Sequence, residues 1–154
     1  MIRRLIALLL VAWVFGFLWF AIALPQPAGA ERTDADYPFV LTTGRVLEHW
    51  HTGAMTRHAS MLDAIAPEAL ASLHPADALS VGVRDGQAVL LATRHGAVQA
   101  RASVRPDVQP GQVFLPMHEE ATNVLTFPRV DPHSRQPAYK HAAVAVRPLH
   151  RWER

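Results

Sequence analysis

The chain has 154 residues, room for one small domain and a leader. Fifteen Lys and Arg face thirteen Asp and Glu; Arg3 and Arg4 account for the excess, so the rest of the chain is neutral and offers no basic surface for nucleic acid. There is no cysteine, which excludes disulfides, an iron–sulfur cluster held by this chain and thiolate ligation of a metal.

The chain opens on Arg3-Arg4 followed by twenty uncharged residues, Leu5 to Leu24. At about 1.5 Å rise per residue this run matches the hydrocarbon thickness of a bilayer. The two arginines predict a cytoplasmic N-terminus and a globular part outside, at the periplasmic face of a bacterial inner membrane. Ala28-Gly29-Ala30 has the small-x-small pattern of a cleavage site, so the segment 1–30 is either a retained anchor or a signal peptide cleaved near Ala30. Residues 31–36 continue a linker that begins at Pro25. Phe15 to Ala35 also resembles the membrane leader of YdcF/SanA-like envelope proteins, which would put a fusion seam near Ala35-Asp36.

Tyr37 to Thr43 reads as a buried strand and Gly44 to Arg57 as a loop. Ser60 to Ala66 reads as a short helix with Ser60 at its N-cap and Pro67 ending it. Ala69 to Leu73 is a short strand, and His74-Pro75 opens a helix with proline in its first turn. Asp85-Gly86 is a tight turn. Gln87 to Thr93 and Ala97 to Val104 alternate around Arg94-His95-Gly96 as a hairpin. Pro110-Gly111 is a turn before the strand Gln112 to Pro116. Glu119 to Thr126 reads as a short helix, and Ala142 to Val146 closes the domain, expected over 37–147 with a tail at 148–154. Many short strands with small helices favour a barrel over a parallel α/β sheet.

Chemistry concentrates in Thr42 to Arg57, where sixteen residues carry two glycines, two arginines, two histidines and four threonines. A core has no use for that density of donors; an anionic, heteroatom-rich ligand has. Gly44 either lets backbone approach a ligand or serves a turn. Arg45 either grips a pyrophosphate or base edge with its planar fork or pairs with Glu48. His49 and His51 would share one side of an extended segment. They can donate to a ligand, hold a metal or bond backbone carbonyls. No third metal ligand stands at a recognisable spacing, so no metal site is assigned. Trp50 and Met55 read as packing residues. Thr52 and Thr56 can cap or bind phosphate. Asn123 can read an amide edge or cap its helix, and Lys140, the only lysine, can meet a phosphate. His58, His74, His95, His118, His133, His141 and His150 read as surface or turn residues. Glu119-Glu120 points to two helix faces and makes no paired-carboxylate acid–base site, and no catalytic residue is assigned.

Thr42 to Arg57, together with His74-Pro75-Ala76-Asp77-Ala78, Gly82 to Val89, Arg94-His95-Gly96, Pro110 to Pro116 and Asp131 to Lys140, resembles the C-terminal molybdopterin dinucleotide-binding domain of the DMSO reductase superfamily, nearest the nitrate reductases. The resemblance covers about residues 37–147 and implies a mainly β fold, a six-stranded double-psi β-barrel of the aspartate decarboxylase type with short helices. It implies a molybdopterin guanine dinucleotide cofactor, part of a bis-pterin molybdenum site shared with other domains. The residues matching its cofactor contacts are Thr43, Gly44, Arg45, Val46, Leu47, Glu48, His49, Trp50, His51, Thr52, Asn123 and Lys140. Met117 matches a position bordering the substrate route, usually aromatic in the nitrate reductases. The ending Val124 to Pro128 leans to other branches of the superfamily.

The molybdenum ligand and the cluster cysteines are not in this sequence, so turnover would require a partner chain carrying the molybdenum and iron–sulfur domains. Two other readings stay open: a membrane-anchored envelope barrel that no longer binds cofactor, and a fusion or remnant of a larger reductase.

Overall fold

The computed structural model describes residues 31–131 and 133–149. The expected hydrophobic helix, its cleavage site and most of the tail lie outside the described residues. Among the described residues no helix is long and apolar enough to cross a membrane.

Six strands form a closed barrel: β1 (Phe39–Gly44), β2 (Leu70–Leu73), β3 (Ala88–Ala92), β4 (Ala97–Val104), β5 (Gln112–Pro116) and β6 (Ala142–Pro148). Their order around the wall is β1-β5-β2-β4-β3-β6. β1 runs parallel to β5, and β2 parallel to β4; the other four pairings are antiparallel. Closure leaves no unpaired strand edge. The expected strands all form, with ends shifted by one or two residues.

Alternation places Phe39, Leu41, Val89, Leu91, Val113 and Leu115 inside. Leu73, Val144 and Val146 join them, and alanines at 71, 100, 102 and 142 fill the gaps between, because so narrow a barrel cannot take a large residue at every inward position. Two helices connect strands: α1 (Ser60–Ile65) and α2 (Pro75–Ser80). The cap of α1 is Ala59, not Ser60, and its side chain caps nothing, so Ser60 is simply the first helical residue. His74 caps α2 by accepting the Ala76 N–H at Nδ1 (3.2 Å), with Pro75 in the first turn as expected. The expected helix near Glu119 is a short 3-10 helix, Glu120–Leu125.

The described part of the linker is docked. The Glu31 carboxylate accepts from the Ala143 backbone N–H at 2.9 Å and pairs with Arg94. Arg94 also pairs with Asp34 and lies 4.6 Å from the Tyr37 ring centroid.

Candidate cofactor-binding site

The parallel strands β1 and β5 end side by side, and the chemically rich segments gather at that end. Thr43, the last inward-facing residue of β1, donates its hydroxyl to the Tyr139 carbonyl (2.8 Å), which brings Lys140 beside the start of the loop. The Met117 N–H donates to the Gly44 carbonyl (2.9 Å), so Met117 leaves β5 against the same residue. The Thr122 hydroxyl donates to the Pro116 carbonyl (3.0 Å) and ties the 3-10 helix carrying Asn123 to the end of β5. Thr43, Gly44, Arg45, Met117, Asn123 and Lys140, spread over nearly a hundred residues, therefore flank one end of the barrel. Arg45, Asn123 and Lys140 are exposed there.

Gly44 is glycine for close packing. A Cβ there would stand 2.6 Å from Cε2 of Phe114, the parallel neighbour of Thr42 on β5. Gly53 has φ +76 and lets the loop reverse after Trp50, whose carbonyl accepts the Gly53 N–H at 2.9 Å.

The segment from Arg45 to Met55 is not extended, because His51 has φ +51. His49 and His51 therefore do not share a side, and their surroundings differ. His49 is 2% exposed and held at both nitrogens: Nε2 meets the Ala66 carbonyl at 2.8 Å and Nδ1 meets the Thr56 hydroxyl at 3.1 Å. A carbonyl only accepts, so the proton sits on Nε2 and Thr56 donates to Nδ1. The Thr56 oxygen in turn accepts the Trp50 N–H at 3.1 Å. His49 thus pins the loop to the end of α1, and neither nitrogen is left for a metal or ligand. His51 instead stands 3.3 Å from the Arg45 guanidinium. Arg45 forms no salt bridge with Glu48 and lies 5.3 Å from the Trp50 ring centroid. Neither Arg45 nor Lys140 has a carboxylate partner among the described residues; Lys140 rests 5.9 Å from the Tyr139 ring.

Three expectations for this region change. Met55 is 71% exposed rather than core, and Trp50 is 57% exposed. His118, expected at the surface, is 2% exposed and stacks on His49 with ring centroids 4.6 Å apart. Its pKa is lowered, chiefly by burial, then by His49 and Arg57. No local signal marks this: strand alternation carried past Pro116 turns His118 to the outer face, and only the loop folding over that face buries it.

Two cavities adjoin the loop. The larger, 830 Å³, lies over the outer face of β1, β5, β2 and β4. Its floor is a row of register-matched residues, Thr42, Phe114, Ser72 and Ser103. Val46 and Glu48 from the loop, Ile65 at the end of α1, Pro67 beyond it, and Arg105 and Asp107 after β4 wall it. The smaller, 480 Å³, is lined by Thr52, Gly53, Arg57, His58 and Glu119. Arg57 and Glu119 pair there at 3.1 Å. His118 belongs to both walls. Phe114 and His118 are candidate-site residues that the sequence did not single out, while Thr56, expected to cap or to bind phosphate, holds His49.

The model of the family described as Molydopterin dinucleotide binding domain matches residues 39–143. The chain is 40% identical over 129 residues to the F420-dependent formate dehydrogenase 1 subunit alpha of Methanococcus maripaludis, a match covering 82% of this chain and 19% of that subunit. The chain thus spans less than a fifth of the curated relative it matches. Its fold is similar to part of the acetylene hydratase from Pelobacter acetylenicus, with a TM-score of 0.60 at 18% identity over 73% of this chain and 18% of that one. The family match, the long curated relative and the shared fold agree: the chain belongs to the molybdopterin dinucleotide-binding domain family of the DMSO reductase superfamily.

Proposed function

We propose that this domain forms one wall of a molybdopterin guanine dinucleotide site, with Asn123, Lys140 and the Thr43–Thr52 segment, the buried His49 excepted, as its contacts and Met117 on the substrate side. The observation that carries this reading is the convergence at the end of β1 and β5. There Arg45 and Lys140 stand exposed without carboxylate partners among the described residues, and the loop that carries Arg45 also lines two cavities through Val46, Glu48 and Thr52. Two such cations suit a pyrophosphate, and Arg45 can meet it in bidentate fashion. The winding, with its two parallel pairs β1/β5 and β2/β4, fits a double-psi barrel.

Within the loop the roles divide. His49 and Thr56 fix its shape from below. The exposed Arg45 and Trp50 and the half-buried His51 form a contiguous surface above. When bound, the cofactor supplies the redox-active molybdenum at which substrate is oxidised or an oxygen atom is transferred; this chain's part is binding and orientation. The molybdenum ligand and the iron–sulfur cluster belong in this reading to partner domains or a partner chain. Among substrates, a formate-type oxidation fits better than nitrate reduction. The relative at 40% identity is a formate dehydrogenase subunit, and Met117 replaces the aromatic residue usual in nitrate reductases. The apolar run Leu5 to Leu24 supports placement at the inner membrane with the barrel on the periplasmic side.

The test is equilibrium binding of purified molybdopterin guanine dinucleotide to the full-length chain and to Arg45→Ala and Lys140→Ala. Loss of one charge-assisted contact, worth about 1.5–3 kcal/mol, predicts roughly 10- to 100-fold weaker binding for each variant with an unchanged circular dichroism spectrum. Equal affinity in both variants would reject these contacts.

A further inference from the structure

His118 is 2% exposed, and neither ring nitrogen has a hydrogen-bond partner among the described residues. Buried polar atoms are seldom left this way without a reason. The described polar side chains packed around it are already committed. His49, stacked against the ring at an interplanar angle of 19°, has both nitrogens committed to Thr56 and Ala66. Arg57 is taken by Glu119. His118 is instead part of the wall of both the 830 Å³ and the 480 Å³ cavity. Each of those cavities is lined in part by the loop that follows β1, through Val46 and Glu48 in one and Thr52 in the other.

The chemistry of the ring narrows what it can meet. Burial, His49 and Arg57 all oppose protonation, so the imidazole is neutral and presents one N–H donor and one acceptor nitrogen. A phosphate offers acceptors only and is best met by a cation. A fused heterocycle with adjacent ring N–H and carbonyl groups offers both halves of the pair and satisfies either tautomer. Pterin and guanine both carry such an edge.

We propose that His118 is a ligand-contacting residue that hydrogen-bonds the amide edge of a fused heterocycle, pterin or purine, seated against the wall it shares with the loop. This rests on the reading that the chain holds a molybdopterin dinucleotide, and it adds a contact outside the Thr43–Thr52 segment. His49 acts here as a positioning residue, since its two fixed hydrogen bonds hold the face on which His118 stacks.

The experiment titrates 15N-histidine-labelled full-length chain, in detergent, with 6-hydroxymethylpterin and separately with guanosine monophosphate. The long-range imidazole nitrogen signals of His118 are followed. The expected result is that one probe moves those signals and fixes a single tautomer, and the probe that does so names the heterocycle. His118→Phe keeps the ring volume and the stack but removes both nitrogens; it should bind that probe about tenfold more weakly with its thermal midpoint unchanged or raised. His118→Gln, which restores a donor and an acceptor, should recover part of the affinity. If a probe binds but leaves the His118 signals unmoved, or if His118→Phe binds it as tightly as wild type, the inference is overturned while the cofactor reading stands. Should wild type bind neither these probes nor the whole dinucleotide, both fall. Binding of the whole dinucleotide with unmoved His118 signals overturns the inference alone. The wild-type spectra decide the matter even if the phenylalanine variant does not fold.

Discussion

The barrel hides its large side chains and the stretch after β1 displays its own. Leu41, Leu91 and Leu115 are at most 2% exposed, whereas Leu47, Met55 and Ile65 are 99%, 71% and 63% exposed. The barrel is finished by its own hydrogen bonds, each strand paired on both sides. The stretch from Arg45 to Ile65 is held by a few side-chain bonds: His49 to Thr56 and Ala66, and Arg57 to Glu119. The difference teaches that the part that sets stability and the part that leaves its side chains open to solvent are separated in this chain. The barrel sets the energy of folding, and the stretch after β1 carries chemistry that the barrel alone does not need.

That contrast can be broken most severely in the barrel. Leu115→Ala removes a core side chain from the strand between β1 and β2, and should cost about 2–5 kcal/mol of unfolding free energy in a denaturant titration. A cost near zero would show that the barrel is not the stability core. His49→Ala tests the hinge between the regions. It strips the Ala66 carbonyl and the Thr56 hydroxyl of their partners and should cost about 1–3 kcal/mol. It should also raise hydrogen exchange from Trp50 to Arg57 while β3 and β4 stay protected; uniform exchange would deny that the loop is a separate unit.

The pH response sharpens the same boundary. The folded-state pKa of His118 lies below its ordinary value of 6.5. Below that ordinary value the unfolded chain takes up a proton on this residue that the folded chain refuses. Stability therefore falls as pH drops through the histidine range and levels off below the folded pKa. His118→Phe should flatten that part of the curve, and an unaltered slope would mean that His118 is not held neutral. The smallest effect belongs to Leu47→Ser. With its side chain in solvent it should shift stability by no more than about 0.5 kcal/mol, so a larger loss by thermal melting would mean that the loop packs more tightly than its exposure indicates.

The strands were legible because their signals are local. Gln112 to Pro116 and the hairpin around Arg94-His95-Gly96 follow from period-two alternation and turn residues. The Ser60 cap failed because Ser60 enters the helix one residue after the true boundary, a shift that local preference does not resolve. The site was legible as a composition, the donor-rich run after β1, and as motifs matching the family. Its layout was not. On an extended segment His49 and His51 would share one side, whereas the positive φ at His51 separates them. Met55 and His118 were exchanged in character, core for surface and surface for core. Which outer face the loop covers is a tertiary fact that no spacing in the sequence encodes.

The central claim is that the loop after β1 and the groups around it hold a molybdopterin dinucleotide. Native mass spectrometry of the full-length chain, mixed with purified molybdopterin guanine dinucleotide, tests it most directly. The account predicts a one-to-one complex carrying the mass of the dinucleotide, much reduced in the Arg45→Ala, Lys140→Ala double variant. A chain that stays folded and shows no added mass at any tested concentration would contradict it.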